Sequence, residues 1–163
     1  MRRAAISALL ALAALAACGS PPPPREATLH ERPLGAEDCG ALRGNMEKVA
    51  RSVHELDVFR AKPMTGDTVK DAQALTEMIK MTPTRLDPVE TRDSDARALM
   101  VESNQYFACA HPALETWRLG AEARKPGGVG EGRSALAPCL QRGKLVVDSY
   151  MARCEAPELR QWR

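Results

Sequence analysis

Apolar residues recur every three or four positions through most of the chain, a spacing typical of helices that bury one face. A first helix is predicted from this pattern up to Lys62-Pro63, where proline stops it. A second is predicted to begin at the N-cap Asp67 and to end at Thr82-Pro83. The expected buried positions are, in the first helix, Leu42, Met46, Val49, Val53, Leu56 and Phe59 and, in the second, Val69, Ala72, Leu75 and Ile79.

The third helix has two alternative starts. Asp87-Pro88-Val89-Glu90 places a proline at the first helical position and an acidic side chain near the free amides, while Ser94 is an equally good start. The apolar stripe continues past Pro112, where we expect a bend, to a C-cap at Gly120. Its expected buried positions are Ala96, Met100, Ser103, Phe107, Ala110, Leu114 and Trp117.

The glycine-rich residues 125–132 predict a flexible loop, after which Ser134 would cap a fourth helix. Four amphipathic helices with short or flexible connections predict an all-α protein, an up-down-up-down four-helix bundle over residues 35–158. Residues 159–163, which include Trp162, are expected to form a frayed tail. The buried face expected for the fourth helix is Leu136, Leu140, Val147, Met151 and Cys154.

The N-terminus has the layout of a secretory signal, since the basic Met1-Arg2-Arg3 precedes an apolar run too short to span a membrane. That run ends in Leu15-Ala16-Ala17-Cys18, which resembles the lipobox of bacterial lipoproteins. The resemblance implies that residues 1–17 are removed, that Cys18 carries lipid such as palmitate, and that the chain is anchored to a membrane of the cell envelope. Gly19 resembles the default for outer-membrane sorting toward the periplasm in a Gram-negative host.

Residues 18–34 are predicted to be a tether, because Pro21-Pro22-Pro23-Pro24 and its polar neighbours cannot build a core. Loss of Arg2 and Arg3 with the signal leaves equal numbers of basic and acidic residues. A nucleic-acid partner is therefore not expected, since it would need a basic excess. The expected partners are the membrane, through the lipid anchor, and an envelope protein or small ligand.

Four cysteines remain once Cys18 is committed to lipid, an even number that predicts two disulfides in an exported chain. The first and fourth helices of such a bundle are antiparallel neighbours, so Cys39 and Cys154 are predicted to pair at one end. Cys109 and Cys139 then form the second pair, although their heights match less well. No C-x-x-C-H motif for covalent haem is present, and the cysteine spacings do not favour a metal site.

Within the helices, Leu42-Arg43-Gly44-Asn45-Met46-Glu47 resembles the opening of cytochrome b562, a periplasmic four-helix haem protein. Weaker resemblance continues through Val69-Lys70-Asp71-Ala72, Met81-Thr82-Pro83-Thr84-Arg85-Leu86 and Asp148-Ser149-Tyr150. It implies that Met46 is an axial haem ligand, but the histidine that follows the tyrosine in that family is Met151 here. Haem b would then need two methionine ligands, which favour ferrous iron. The alternative is that both methionines are ordinary core residues.

Catalysis has no support in the sequence, and no catalytic residue is proposed. The Gly127 to Gly132 cluster lacks the lysine and hydroxyl residue of a phosphate loop, and Met78-x-x-Met81 is more typical of packing than of a copper site. The expected function is therefore a non-enzymatic lipoprotein whose bundle is a haem-free structural, adaptor or binding module. The alternative is a tethered haem b electron carrier.

Overall fold

The computed structural model of the protein describes residues 32–124 and 126–162, with the side chain of Pro126 left out. The signal peptide, Cys18 and most of the expected tether lie outside the described residues. The described chain is helical without strands, which confirms the prediction of an all-α protein. Its elements are α1 (Ala36–Ala61), α2 (Thr68–Met81), α3 (Ser94–Glu122), α4 (Pro126–Cys154) and a C-terminal 3-10 helix (Pro157–Trp162).

Helix α1 begins after Gly35, carries acidic residues in its first turn, where they complement the helix dipole, and ends at the C-cap Lys62. The N–H of Lys62 donates to the carbonyl of Phe59, and Pro63 follows directly. The predicted buried face is confirmed, with Phe59 only partly buried at its end. The fully or nearly fully buried members are Leu42, Met46, Val49, Val53 and Leu56.

Helix α2 has the predicted N-cap, because the Asp67 carboxylate accepts hydrogen bonds from the amides of Val69 and Lys70 at 3.1 and 3.2 Å. The predicted burial of Val69 is wrong, since this side chain is 63% exposed. Asp71 is buried instead and accepts hydrogen bonds from the Thr65 amide and hydroxyl at 2.9 and 2.7 Å. The Asp71 carboxylate therefore closes the loop that precedes the helix, a role that the apolar pattern does not show.

Helix α3 begins at the later of its two predicted starts. The Asp93 carboxylate accepts from the amides of Asp95 and Ala96, so the segment around Pro88 remains outside the helix. The helix continues through Pro112, as expected, and its C-cap is Ala123. The prediction of a C-cap at Gly120 is wrong, because this residue lies inside the helix and packs against α4.

Helix α4 begins at Pro126, so the predicted loop over residues 125–132 and the N-cap at Ser134 are wrong. A Cβ atom at Gly132 would lie 2.6 Å from Cβ of Trp117, and one at Gly120 would lie 2.5 Å from the amide nitrogen of Val129. Only glycine permits this close approach of two helix backbones. Packing of α3 against α4 therefore outweighs the cost of about 1 kcal/mol per glycine in a helix.

Both cysteine pairs predicted from the sequence lie at disulfide distance. Cys39 and Cys154, the terminal pair, have an S–S distance of 2.01 Å and a Cα–Cα distance of 5.5 Å. Cys109 and Cys139, the hairpin pair, have an S–S distance of 1.95 Å and the same Cα–Cα distance. The terminal pair joins the start of α1 to the end of α4, and the hairpin pair joins α3 to α4.

The C-terminal segment differs from the expected tail. Leu159 is only 1% exposed in the core, and the carboxylate of Glu158 lies 2.8 Å from the guanidinium of Arg43 on α1. The ring of Trp162 meets the ring of His54 at a centroid distance of 6.0 Å. The 3-10 helix thus covers one side of α1 and α4.

The start of the described chain is fastened to the end of the bundle that carries the terminal pair. The Arg153 side chain, 3% exposed, donates through Nε to the carbonyl of Arg32 and through Nη2 to Asp95, both at 2.8 Å. Leu34 is buried, and its amide donates to the Arg153 carbonyl. Arg32 and Leu34, which the sequence analysis places in the tether, are therefore held against the bundle.

Among the described helices, none combines the length and hydrophobicity needed to cross a membrane.

Candidate functional site

Met46, the first methionine singled out by the sequence, lies in a closed part of the core. It is fully buried on α1, and its sulfur lies 4.0 Å from the hydroxyl of Ser103 on α3. That hydroxyl donates to the carbonyl of Leu99 at 2.6 Å. The sulfur of Met46 therefore faces a packed interior between α1 and α3.

Met151 lies in a different environment. Its side chain is partly buried on α4 and lines a surface depression together with Asp148, Ala152, Glu155, Pro157 and Arg160. These residues belong to the end of α4 and to the segment that follows it. Met46 is not part of this depression.

Met46 and Met151, the two residues that the haem b alternative would need as ligands, lie in different surroundings. Met46 contacts Ser103 of α3 in the interior, and Met151 lines a depression at the surface.

A buried polar contact occupies the centre of the same core. The hydroxyls of Ser52 on α1 and Tyr106 on α3 lie 2.9 Å apart, and Tyr106 is fully buried. Burial raises the pKa of the Tyr106 phenol, and the hydrogen bond with Ser52 opposes that rise only in part. The phenol is therefore neutral at physiological pH and serves as a fixed hydrogen-bonding group between the two helices.

A groove lies between α1 and α4, and we call it the α1–α4 groove. Its volume is about 350 Å³, within the range of small-molecule sites. Its apolar lining comes from both helices and from the 3-10 helix. The lining residues are Ala50, Val53, His54, Asp57, Val58, Lys144, Val147, Asp148, Leu159 and Trp162.

Charged groups from both helices stand around this groove. Lys144 on α4 donates to Asp57 on α1 at 2.8 Å, and Arg60 lies 3.4 Å from the same carboxylate. The hydrogen bond from Lys144 holds the pKa of Asp57 below its ordinary value, although desolvation acts in the opposite direction. Asp57 is therefore ionised at neutral pH, and Asp148 adds a second carboxylate on the α4 side.

An aromatic residue of the C-terminal segment completes the groove. Trp162 lines it and also receives the guanidinium of Arg51, whose Cζ lies 5.1 Å from the ring centroid. A cation at this distance from an indole ring is attracted by the ring quadrupole. His54, on the same turn of α1, contacts the indole edge on.

His111, the third histidine of the chain, has a structural position. Its Nε2 lies 3.0 Å from the carbonyl oxygen of Thr82 and 3.2 Å from that of Pro83. The ring therefore ties the end of α2 to the middle of α3. No group of three or more His, Cys, Asp or Glu side chains in the described ranges is arranged to hold a metal ion.

Comparison with known protein families, with characterised proteins and with solved structures finds no match to this chain.

The α1–α4 groove was not predicted from the sequence. Asp57 and Lys144, which form an ion pair at this groove, lie 87 residues apart in the sequence. They meet only when α1 packs on α4, so the sequence pattern does not reveal the groove. Trp162 carried no signal of its own, because it follows the last helical stripe.

Proposed function

We propose that this protein is a non-enzymatic, membrane-anchored periplasmic lipoprotein whose haem-free helical bundle acts as a binding or adaptor module. Cys18 is the lipidated residue in this proposal, and residues 1–17 are the signal that is removed. The bundle descends from the same kind of domain as cytochrome b562, with methionine in place of the second ligand histidine. The single observation that carries the proposal is the motif Leu15-Ala16-Ala17-Cys18 after a basic start and a short apolar run.

The way the chain enters the bundle supports an anchor at its N-terminal side. Arg32 and Leu34 are fixed to Arg153 at the end of α4, so the described chain begins at one end of the bundle. The two cysteine pairs support an oxidising compartment such as the periplasm. Both features are compatible with a folded domain attached to a lipid anchor at its N-terminal side.

An up-down-up-down topology belongs to the same proposal. The start of α1 meets the end of α4 through the terminal pair, and Val53 further along α1 approaches Gly143 earlier in α4. Helices α3 and α4 are also antiparallel, because the hairpin pair joins Cys109 to Cys139 and Trp117, later in α3, approaches Gly132, earlier in α4.

The remaining contacts give the direction of α1 relative to α3 and of α2 relative to α3. Met46 and Ser52 of α1 meet Ser103 and Tyr106 of α3, so residue numbers rise together along those helices. The end of α2 meets the middle of α3 through His111, and the start of α2 shares a surface depression with Gly120 near the end of α3. Helix α2 therefore runs antiparallel to α3.

Lipid attachment is tested by labelling growing cells with an alkyne analogue of palmitate and measuring the mass of the purified protein. We expect label and a mature N-terminus at Cys18, and we expect Cys18→Ser to lose both. Gly19→Asp is the matched control, because it should keep the lipid and move the protein to the inner membrane of a Gram-negative host. Unlabelled wild-type protein, or label that persists in Cys18→Ser, would overturn the proposal.

The haem-free part of the proposal has a separate test. Protein isolated from the periplasmic face of the envelope is reduced with dithionite, and its visible spectrum is recorded. We expect no Soret band at a stoichiometric level, because Met46 and Met151 occupy different environments. A reducible Soret band that Met46→Ala abolishes would establish a haem b electron carrier instead.

A further inference from the structure

Helices α3 and α4 together present a broad outward face that is exposed along most of its length. We infer that this face, which we call the outer α3–α4 face, binds a second copy of the same chain in a two-fold dimer. The inference goes beyond the proposed function. Only the direction of the two copies relative to the membrane rests on the proposed lipid anchor.

The outward stripe of α3 is uncharged. Its members recur every three or four residues on the side opposite the buried stripe, and all are exposed except Thr116, which is partly buried. Val101 and Leu119 are both 54% exposed, so large aliphatic side chains stand in water on this stripe. The members are Ala98, Val101, Gln105, Ala108, Pro112, Thr116 and Leu119.

The outward stripe of α4 has the same character. Its members are Ser134, Pro138, Gln141, Leu145, Ser149 and Ala152, of which Leu145 is 58% exposed. The outward side of α1, at the same spacing, instead carries Glu37, Lys48 and Arg51, as expected of a helix face that meets water. Because 27% of the chain is charged, an apolar face without charges on either stripe indicates a surface that a protein covers.

The charges where the two stripes meet are self-complementary. The carboxylate of Glu102 on α3 lies 3.8 Å from the guanidinium of Arg142 on α4, and both side chains are partly exposed. A two-fold axis parallel to the helices places α4 of the second copy opposite α3 of the first. Arg142 of each copy then faces Glu102 of the other, so that opposite charges meet on both sides of the axis. This charge pattern commits the face to a second copy of the chain.

The uncharged positions match under the same symmetry. The hairpin pair and the Glu102–Arg142 contact fix which residues of the two helices lie at the same height. By this register Val101 of one copy faces Leu145 of the other, and Gln105 faces Gln141. Aliphatic side chains therefore meet aliphatic side chains, and amides meet amides that can donate to and accept from them.

The face has the size and rigidity that a stable dimer needs. The hairpin pair and the close approach of Gly132 to Trp117 hold α3 and α4 together beneath it, so association orders few groups. From Ala98 to Leu119 the face is about 30 Å long, and two helices make it about 20 Å wide. This area of about 600 Å² per copy approaches the roughly 800 Å² that each partner contributes to a standard interface.

The direction of the two copies agrees with the proposed anchor. The described chain begins at Arg32, which is held at the end of the bundle that carries the terminal pair. An axis parallel to the helices keeps this end of both copies on one side of the dimer. Two lipid anchors can then enter the same membrane, whereas a two-fold axis across the helices would place them at opposite ends.

The test measures the mass of the full chain, purified from membranes, by sedimentation equilibrium in a density-matched non-ionic detergent. We expect a dimer, and association at least about tenfold weaker for Leu145→Glu, because a charge would be buried without a partner. Val69→Glu is the matched control, since it places the same charge on an apolar side chain of α2 that is 63% exposed, and it should leave association unchanged. Far-UV circular dichroism shows whether each variant is folded.

Charge exchange tests the partner and the register together. Glu102→Arg and Arg142→Glu each bring like charges together in a dimer of identical copies, so each alone should associate at least about tenfold more weakly. A mixture of the two variants, which carry different affinity tags, restores opposite charges and should give a mixed dimer as stable as the wild type.

Three results would overturn the inference: a wild-type monomer, equal association of Leu145→Glu and Val69→Glu, or charge variants that form no mixed dimer. None of them bears on the lipid attachment of Cys18, which palmitate labelling tests on its own.

Discussion

Adding one methyl group at Gly132 should force α3 and α4 apart. A Cβ atom there would lie 2.6 Å from the Cβ of Trp117 and nearer still to its backbone nitrogen and Cα. Because two of these three atoms belong to the backbone, the strain cannot be relieved by a change of rotamer. Gly132→Ala therefore tests one of the two closest contacts between α3 and α4 directly.

Gly130 provides a control in the same helix, since a Cβ atom there would meet nothing within 4 Å. Gly130→Ala should raise the free energy of unfolding by about 0.5–1 kcal/mol through helix propensity alone. Gly132→Ala gains the same propensity but carries an overpacking cost of about 1–3 kcal/mol or more. Because both variants gain the same propensity, we expect Gly132→Ala to be less stable than Gly130→Ala by the overpacking cost, about 1–3 kcal/mol or more.

The assay is urea unfolding of the full chain followed by far-UV circular dichroism, with linear extrapolation to water. The two variants are compared at equal slope, so that a change in midpoint reports a change in stability. If Gly132→Ala were as stable as Gly130→Ala, Trp117 would not lie against this glycine. The packing of α3 on α4 described above would then be wrong.

The remaining predictions concern the charged and covalent contacts. Asp95→Ala should lower the free energy of unfolding by about 3–5 kcal/mol, because it removes the carboxylate that accepts from the buried guanidinium of Arg153. Arg153→Met should cost less, since Asp95 keeps access to water, and urea unfolding that ranks them in reverse would contradict this. Cys39→Ala combined with Cys154→Ala opens a loop of 115 residues and should cost about 4.8 kcal/mol, against about 3.6 kcal/mol for the 30-residue loop of the hairpin pair. Equal losses in thermal unfolding would refute that order. Burial raises the pKa of Asp71, but hydrogen bonds from Thr65 and Gly66 outweigh it and hold this pKa below 3.8. The stability that Asp71 contributes is therefore present above about pH 4 and lost as the pH falls through its lowered pKa. Asp71→Asn should flatten the fall of the unfolding free energy with acid, and an unchanged acid profile would contradict its role.

The sequence predicts the helices whose burial follows from their own periodicity. The stripes of α1 and α3 are correct almost residue by residue, because a face that packs on two neighbours needs apolar side chains at every turn. The N-cap at Asp67 is correct for the same local reason, since its carboxylate bonds amides within its own first turn. Such features depend only on residues that are close together in the sequence.

Most of the errors come from contacts between more distant parts of the chain. Residues 127–132 look like a loop until Gly120 and Trp117 of α3 are brought against them. The burial of Asp71 has a local cause that the apolar pattern does not show, because this carboxylate closes the loop at Thr65, six residues earlier. The α1–α4 groove and the position of Trp162 depend on three elements that meet only in the folded bundle.

The terminal pair has a mechanical consequence for a chain that is pulled at its two ends. A pull between Arg32 and Trp162 passes along the start of α1 to Cys39, crosses the sulfur bridge to Cys154 and continues into the 3-10 helix. The 115 residues of separation between the two cysteines are bypassed by this force path. Such a pull would therefore load a covalent connection and the C-terminal segment before it loads the helices between the two cysteines.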